Sequence, residues 1–97
     1  SSCYNIETYT KETIDEQFAA RLQDASLAWK PINVDEEPNR HFITDFQLHT
    51  KSVVLVKIRN GKQVEWKNLD RVWALLGDKD SFKSYIGLEL SSFLAKG

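Results

Sequence analysis

Reactive sulfur is the scarcest resource in this sequence: Cys3 is the only cysteine among 97 residues. A single thiol cannot close a disulfide within the chain, so a small secreted module stapled by disulfides is excluded. Charge of one sign is also lacking. Thirteen Lys and Arg against 14 Asp and Glu leave a net charge of -1. The two signs are interspersed and no basic stripe is present, so there is no sustained field to attract phosphate and nucleic acid is not an expected partner. Long apolar runs are missing too. The longest, Val53-Val54-Leu55-Val56, has the length of a strand and falls far short of the roughly 20 residues of a membrane helix. No glycine-rich phosphate loop, no Ser/His/Asp nucleophile pattern, no internal repeat and no low-complexity tract occurs, and no cofactor is read from the residues. The chain starts at Ser1 with neither Met nor a charged and apolar leader, as expected of a mature or trimmed product.

What is present is enough apolar material, 41% of residues, for one small α/β domain over residues 1–97. From Cys3 to about Asp24, the residues Ile6, Tyr9 or Thr10, Ile14, Phe18 and Leu22 recur at helical spacing, with charged residues on the other faces. Leu27 to Val34 reads as a strand, and Pro31 within it, having no N–H to donate, predicts an edge position. Asp35-Glu36-Glu37-Pro38 then opens a helix, with acidic side chains at its positive end and proline in its first turn. Phe42, Ile43, Phe46 and Leu48 form its apolar stripe.

Val53 to Ile58 is predicted to be a buried strand, and Asn60-Gly61 a type I′ hairpin turn, because both positions of that turn require positive φ. Gln63 to Lys67 returns antiparallel. Asn68 or Asp70 caps a short helix over Arg71 to Leu76 that Gly77 ends. Asp78 or Asp80 starts the last helix, whose buried stripe is Phe82, Tyr85, Ile86, Leu90, Phe93 and Leu94. The order is therefore α-β-α-β-β-α(-α).

Cys3 falls in the first turn of the first helix, where unpaired N–H groups and the helix dipole favour the thiolate over the thiol. One residue upstream of Ser1 is where the partner of a C-x-x-C pair would stand. The competing reading of Cys3 is a small apolar residue at a helix start. His41 and His49 are separated too widely, and accompanied by too few cysteines, for a zinc pattern, so they read as surface residues. The loop of His49 is expected to approach the end of the helix that carries Cys3, where an imidazolium would favour the thiolate. Asp35, Glu36 and Glu37 read as capping residues rather than an acid–base cluster. Trp29, Trp66 and Trp73 read as core or half-buried cover, with an aromatic ligand groove as the alternative.

The element order, Asn33-Val34-Asp35-Glu36-Glu37-Pro38 before a helix, the Val53–Val56 strand and the Arg59-Asn60-Gly61-Lys62 hairpin together resemble thioredoxin-like proteins after their first strand. Closer still, Cys3-Tyr4-Asn5-Ile6-Glu7-Thr8-Tyr9-Thr10, Ser52-Val53-Val54-Leu55-Val56 and Gly61-Lys62-Gln63-Val64-Glu65-Trp66 resemble a bacterial thioredoxin-fold family. Its members carry the description nitrophenyl compound nitroreductase subunit of ArsF type, although no residue here resembles a flavin or nicotinamide site. The resemblance implies an exported or periplasmic protein, the residues themselves being compatible with the cytoplasm.

It also implies that Cys3 is the second, resolving thiol of a C-x-x-C pair, with a protein or small thiol as redox partner. The substrate-facing loop would be His49, Thr50, Lys51, Ser52 and Val53. That loop has no proline where thioredoxins place a cis-proline, so it is built differently. A first strand preceding Cys3 would lie between Leu27–Val34 and Val53–Ile58, and its absence from the sequence implies truncation at the N-terminus or something else filling that slot. Two functions follow: a thiol–disulfide oxidoreductase, or a non-catalytic thioredoxin-like binding or subunit module.

Overall fold

The periodic apolar positions of the N-terminal segment form a helix, α1, Ser2–Gln17, in a computed structural model that describes residues 2–48 and 50–95, with side chains from residue 4 onward. Ile6 and Ile14 are buried on its inner face together with Thr10 and Thr13. Each hydroxyl donates to the carbonyl one turn back, Thr10 Oγ1 to Ile6 at 2.7 Å and Thr13 Oγ1 to Tyr9 at 2.8 Å, so neither enters the core unsatisfied. The helix expected to run to Asp24 breaks at Phe18, whose backbone leaves the helical region at φ -129°. Phe18 is buried at that break, and α2, Ala19–Gln23, follows it.

Leu27 to Val34 is not a strand. The segment is irregular, and among the described residues no backbone hydrogen bond joins Ala28–Ile32 to another part of the chain. A strand is defined by its neighbour, and this segment has none beside it. The helix expected after Pro38 is a 3₁₀ turn, Glu37–Asn39, followed by the short α3, His41–Asp45. None of the three acidic side chains caps it. Asn33 Oδ1 instead accepts the amide of Asp35 at 2.9 Å, an Asx turn that reverses the chain.

Val54–Arg59 (β1) and Lys62–Asn68 (β2) form a two-stranded antiparallel sheet. Asn60 and Gly61 join them with φ of 53° and 75°, the geometry of the predicted turn. Arg59 pairs with Lys62 and Val54 with Asn68, with a bulge between Lys57 and Ile58 that takes in Val64. The short helix expected over Arg71 to Leu76 is a 3₁₀ helix, Asp70–Leu75, with Leu76 as its C-cap and Val72 fully buried.

Asp78 caps the last helix, α4, Lys79–Ala95. Its Oδ1 accepts the Ser81 amide at 3.1 Å and its Oδ2 the Ser81 hydroxyl at 2.8 Å. The predicted stripe holds, with Phe82, Ile86, Leu90 and Phe93 buried against α1 and one face of the sheet. Across that contact Glu12 meets Lys79 at 3.0 Å and Lys83 at 3.4 Å, and Lys83 meets Glu16 at 2.8 Å. The result is a mixed α/β fold, with α1 and α4 on one side of a small sheet. Among the described residues no helix is long and apolar enough to cross a membrane.

Candidate functional site

Cys3 lies in the first turn of α1, as its place in the sequence predicted. Its side chain lies outside the described residues, as does all of His49. No acidic residue occupies the first turn of α1, so the helix itself sets no carboxylate against the partial positive charge at that end. One turn further on, Ile6 packs in the same buried cluster as Val53, the last residue of the predicted substrate-facing loop. The loop and the start of α1 therefore share one core.

The described part of that loop is held from three sides. Ser52 Oγ donates to Asn68 Oδ1 at 2.5 Å, and Asn68 Nδ2 donates to the Phe46 carbonyl at 3.2 Å. The Trp73 indole N–H donates to the carbonyl of Lys51. The amide of Leu69 donates to the Val53 carbonyl at 2.7 Å. Thr50 and Lys51 remain exposed, while Val53 is buried.

His41 is exposed, and its Nδ1 lies 2.7 Å from Asp45 Oδ2 within α3. Among the described residues no group of His, Cys, Asp and Glu is arranged to hold a metal ion. The three tryptophans do not form one platform. Trp66 meets Phe46 edge to face at 5.4 Å, Trp73 packs with the Val72 and Phe82 cluster, and Trp29 packs with Phe18 and Leu90.

The slot that the resemblance implies between Leu27–Val34 and Val53–Ile58 coincides with an open groove on the other side of β1. A groove of about 1090 Å³ runs along this strand, bounded by Ala28–Val34, by Phe42, Phe46 and Leu48, and by inward residues of α1 and α4. Of Val53 to Ile58, predicted to be buried, Val53 is buried, Val54, Leu55 and Lys57 are half-buried, and Val56 and Ile58 are open. Val56 is 39% and Ile58 57% exposed, because no element among the described residues covers them. The signal was in the sequence: Val53-Val54-Leu55-Val56 has the apolar continuity of a strand covered on both faces. Comparison of the chain with family models, with curated proteins and with solved structures yields no match.

Proposed function

We propose that this chain is a thioredoxin-like domain whose chemistry is thiol–disulfide exchange at Cys3, with a protein or small thiol as redox partner. The observation that carries the reading is the position of Cys3 in the first turn of the 16-residue α1, in a turn without acidic residues. Helix-terminal amides lower a thiol's pKa at such a position, and only the thiolate attacks a disulfide. The shared packing of Ile6 and Val53 supports the Thr50–Val53 loop as the surface beside it.

With a cysteine immediately before Ser1, the exchange balances in two steps. The upstream thiolate attacks a substrate disulfide, forming a mixed disulfide and releasing one substrate thiolate. The Cys3 thiolate then attacks the upstream sulfur, closing the C-x-x-C disulfide and releasing the second substrate thiolate. Two electrons pass from the dithiol to the substrate. Replacing Cys3→Ser in the protein with both cysteines should trap the mixed disulfide, detectable by mass. The 97-residue chain, with one thiol, should show no dithiol turnover in an insulin-reduction assay. A protein with both cysteines that never forms the internal disulfide under oxidising conditions would reject the enzyme reading.

A second reading, a non-catalytic thioredoxin-like binding or subunit module, is favoured by the groove along β1, whose described lining is largely apolar.

A further inference from the structure

Asn60 and Gly61 form the tip of the β1–β2 hairpin, and every residue from Arg59 to Val64 is exposed. The Cγ carbonyl of an asparagine is open to attack by the amide nitrogen of the next residue, which closes a five-membered ring. The reaction needs a following residue whose side chain does not shield that nitrogen, a backbone free to turn, and groups not already held in hydrogen bonds.

Asn60 meets all three conditions. Gly61 has no Cβ, and nothing lies within 4 Å of where one would stand, so the approach to its nitrogen is open. With no side chain it also turns more freely than any other residue. Among the described residues no hydrogen bond engages the Gly61 N–H or the Asn60 side chain.

The other four asparagines are each restrained. Asn5 lies inside α1, where the helical ladder engages the next amide, and that residue is the β-branched Ile6. Asn33 Oδ1 accepts the Asp35 amide at 2.9 Å, and Asn39 Nδ2 donates to the Asn33 carbonyl at 3.1 Å. Asn68 is held by Ser52 and the Phe46 carbonyl. Val34, Arg40 and Leu69, which follow these three, all carry side chains that shield the nitrogen.

We propose that Asn60 is a site of spontaneous covalent modification, at which the Asn-Gly tip of the hairpin becomes an isoaspartyl-Gly linkage with time. The proposal depends on neither function advanced above. The Gly61 nitrogen bonds to Asn60 Cγ, the Cγ–Nδ2 bond breaks, and the Gly61 proton leaves with the side-chain nitrogen as ammonia. Water then opens the succinimide ring. Opening at the main-chain carbonyl leaves isoaspartate, and opening at Cγ leaves aspartate, with no change of oxidation state in either case.

The turn sets the rate. At φ 53° Asn60 is in the left-handed region, where the Gly61 nitrogen points away from Cγ. Ring closure therefore follows opening of the turn, which the exposed Arg59–Lys62 pair opposes. Such ends belong to the least stable part of a fold. Once formed, isoaspartate routes the main chain through the side-chain carbon and lengthens it by one atom. A two-residue type I′ turn does not accommodate that atom, so the Arg59–Lys62 pair is lost. The new carboxylate also adds one negative charge to the chain.

The test ages the folded 97-residue chain in warm, mildly alkaline buffer, beside a portion unfolded in urea. Conversion is read by peptide mass spectrometry, and isoaspartate by methyl transfer from an isoaspartyl methyltransferase. Asn60 should convert before any other asparagine, and in the folded chain within about a hundredfold of its unfolded rate, the range expected of an exposed turn that opens locally. In the converted protein, hydrogen exchange should accelerate at the Arg59–Lys62 pair. Asn60→Gly keeps a favoured Gly-Gly turn and should lose both the mass change and the methyl transfer.

Earlier conversion of another asparagine, stronger protection of Asn60 by the fold, or aspartate without isoaspartate would each overturn the proposal. Persistence of the signals in Asn60→Gly would do the same. Unchanged exchange at the Arg59–Lys62 pair in the converted protein would overturn its effect on the hairpin.

Discussion

The amide of Leu69 donates to the carbonyl of Val53 at 2.7 Å, one residue before β1 begins. This bond sets the parity of the strand. Residues in register with Val53 face β2, and Val54, Val56 and Ile58 are left to face the groove. The same bond holds the end of the loop beside Ile6, so the two candidate surfaces of the molecule meet at Val53.

Asn68 joins the loop to α3, accepting from Ser52 and donating to Phe46. Asn68→Ala should leave a partly buried carbonyl and hydroxyl without partners, at a cost of about 1–3 kcal/mol. Urea unfolding should show the loss, and hydrogen exchange should accelerate first in the Thr50–Val53 loop. Unchanged exchange there would mean that the loop is held by other bonds.

Phe82 is fully buried, with its ring edge-on to Tyr9 at 5.4 Å. Phe82→Ala removes a large side chain from the joint between α1 and α4 and should cost about 3–5 kcal/mol. In a domain of this size that approaches the whole stability. The variant should lose its cooperative thermal transition, which circular dichroism will register.

Two glycines should respond oppositely to alanine. Gly61 holds φ of 75° in the hairpin turn, with open space around it, so Gly61→Ala pays only in backbone strain, about 1 kcal/mol. Gly87 lies inside α4, where an added methyl would meet Gln17 Oε1 at 2.5 Å. The Gln17 amide is the free end of an exposed, flexible side chain and can swing away. Gly87→Ala should therefore gain about 0.5–1 kcal/mol from helix propensity. Denaturant midpoints of the two variants measure both effects.

The clamp between α1 and α4 should make stability depend on pH at both ends. The hydrogen bond from Lys79 is the main cause that holds the Glu12 carboxyl below its ordinary value, with the charges of Lys79 and Lys83 adding to it against desolvation. Hydrogen bonds from Ser81 likewise hold Asp78 down. A depressed carboxylate contributes stability above its unfolded pKa and loses it as pH falls through the folded value.

Lys83, raised chiefly by its hydrogen bond to Glu16, and Lys67, raised chiefly by Glu89, behave in the opposite sense. Their contribution is complete below the unfolded lysine pKa and is lost as pH rises through the folded one. Melting temperature should fall toward acid and toward strong alkali. Glu12→Gln should flatten the acid limb, and added salt should shrink both effects, since these pairs are solvent-facing.

Local chemistry written within a few residues was legible in the sequence. The helical stripes of α1 and α4, the Asp78 cap and the Asn60-Gly61 turn follow from spacing, side-chain acceptors and backbone strain that act between near neighbours. Cys3 at a helix start belongs with them. What depended on distant partners was not legible. Leu27 to Val34 has strand-like residues, yet no strand forms, because hydrogen bonding to a neighbour decides the matter and the groove lies along that flank. Val56 and Ile58 carry apolar side chains that the sequence assigned to the interior, but burial requires something to cover them. The sequence determined α1, α4, the β1–β2 hairpin and the apolar character of β1. Only the tertiary structure decided that one edge of β1 meets no partner among the described residues, because pairing and burial are properties of what a segment meets rather than of its own residues.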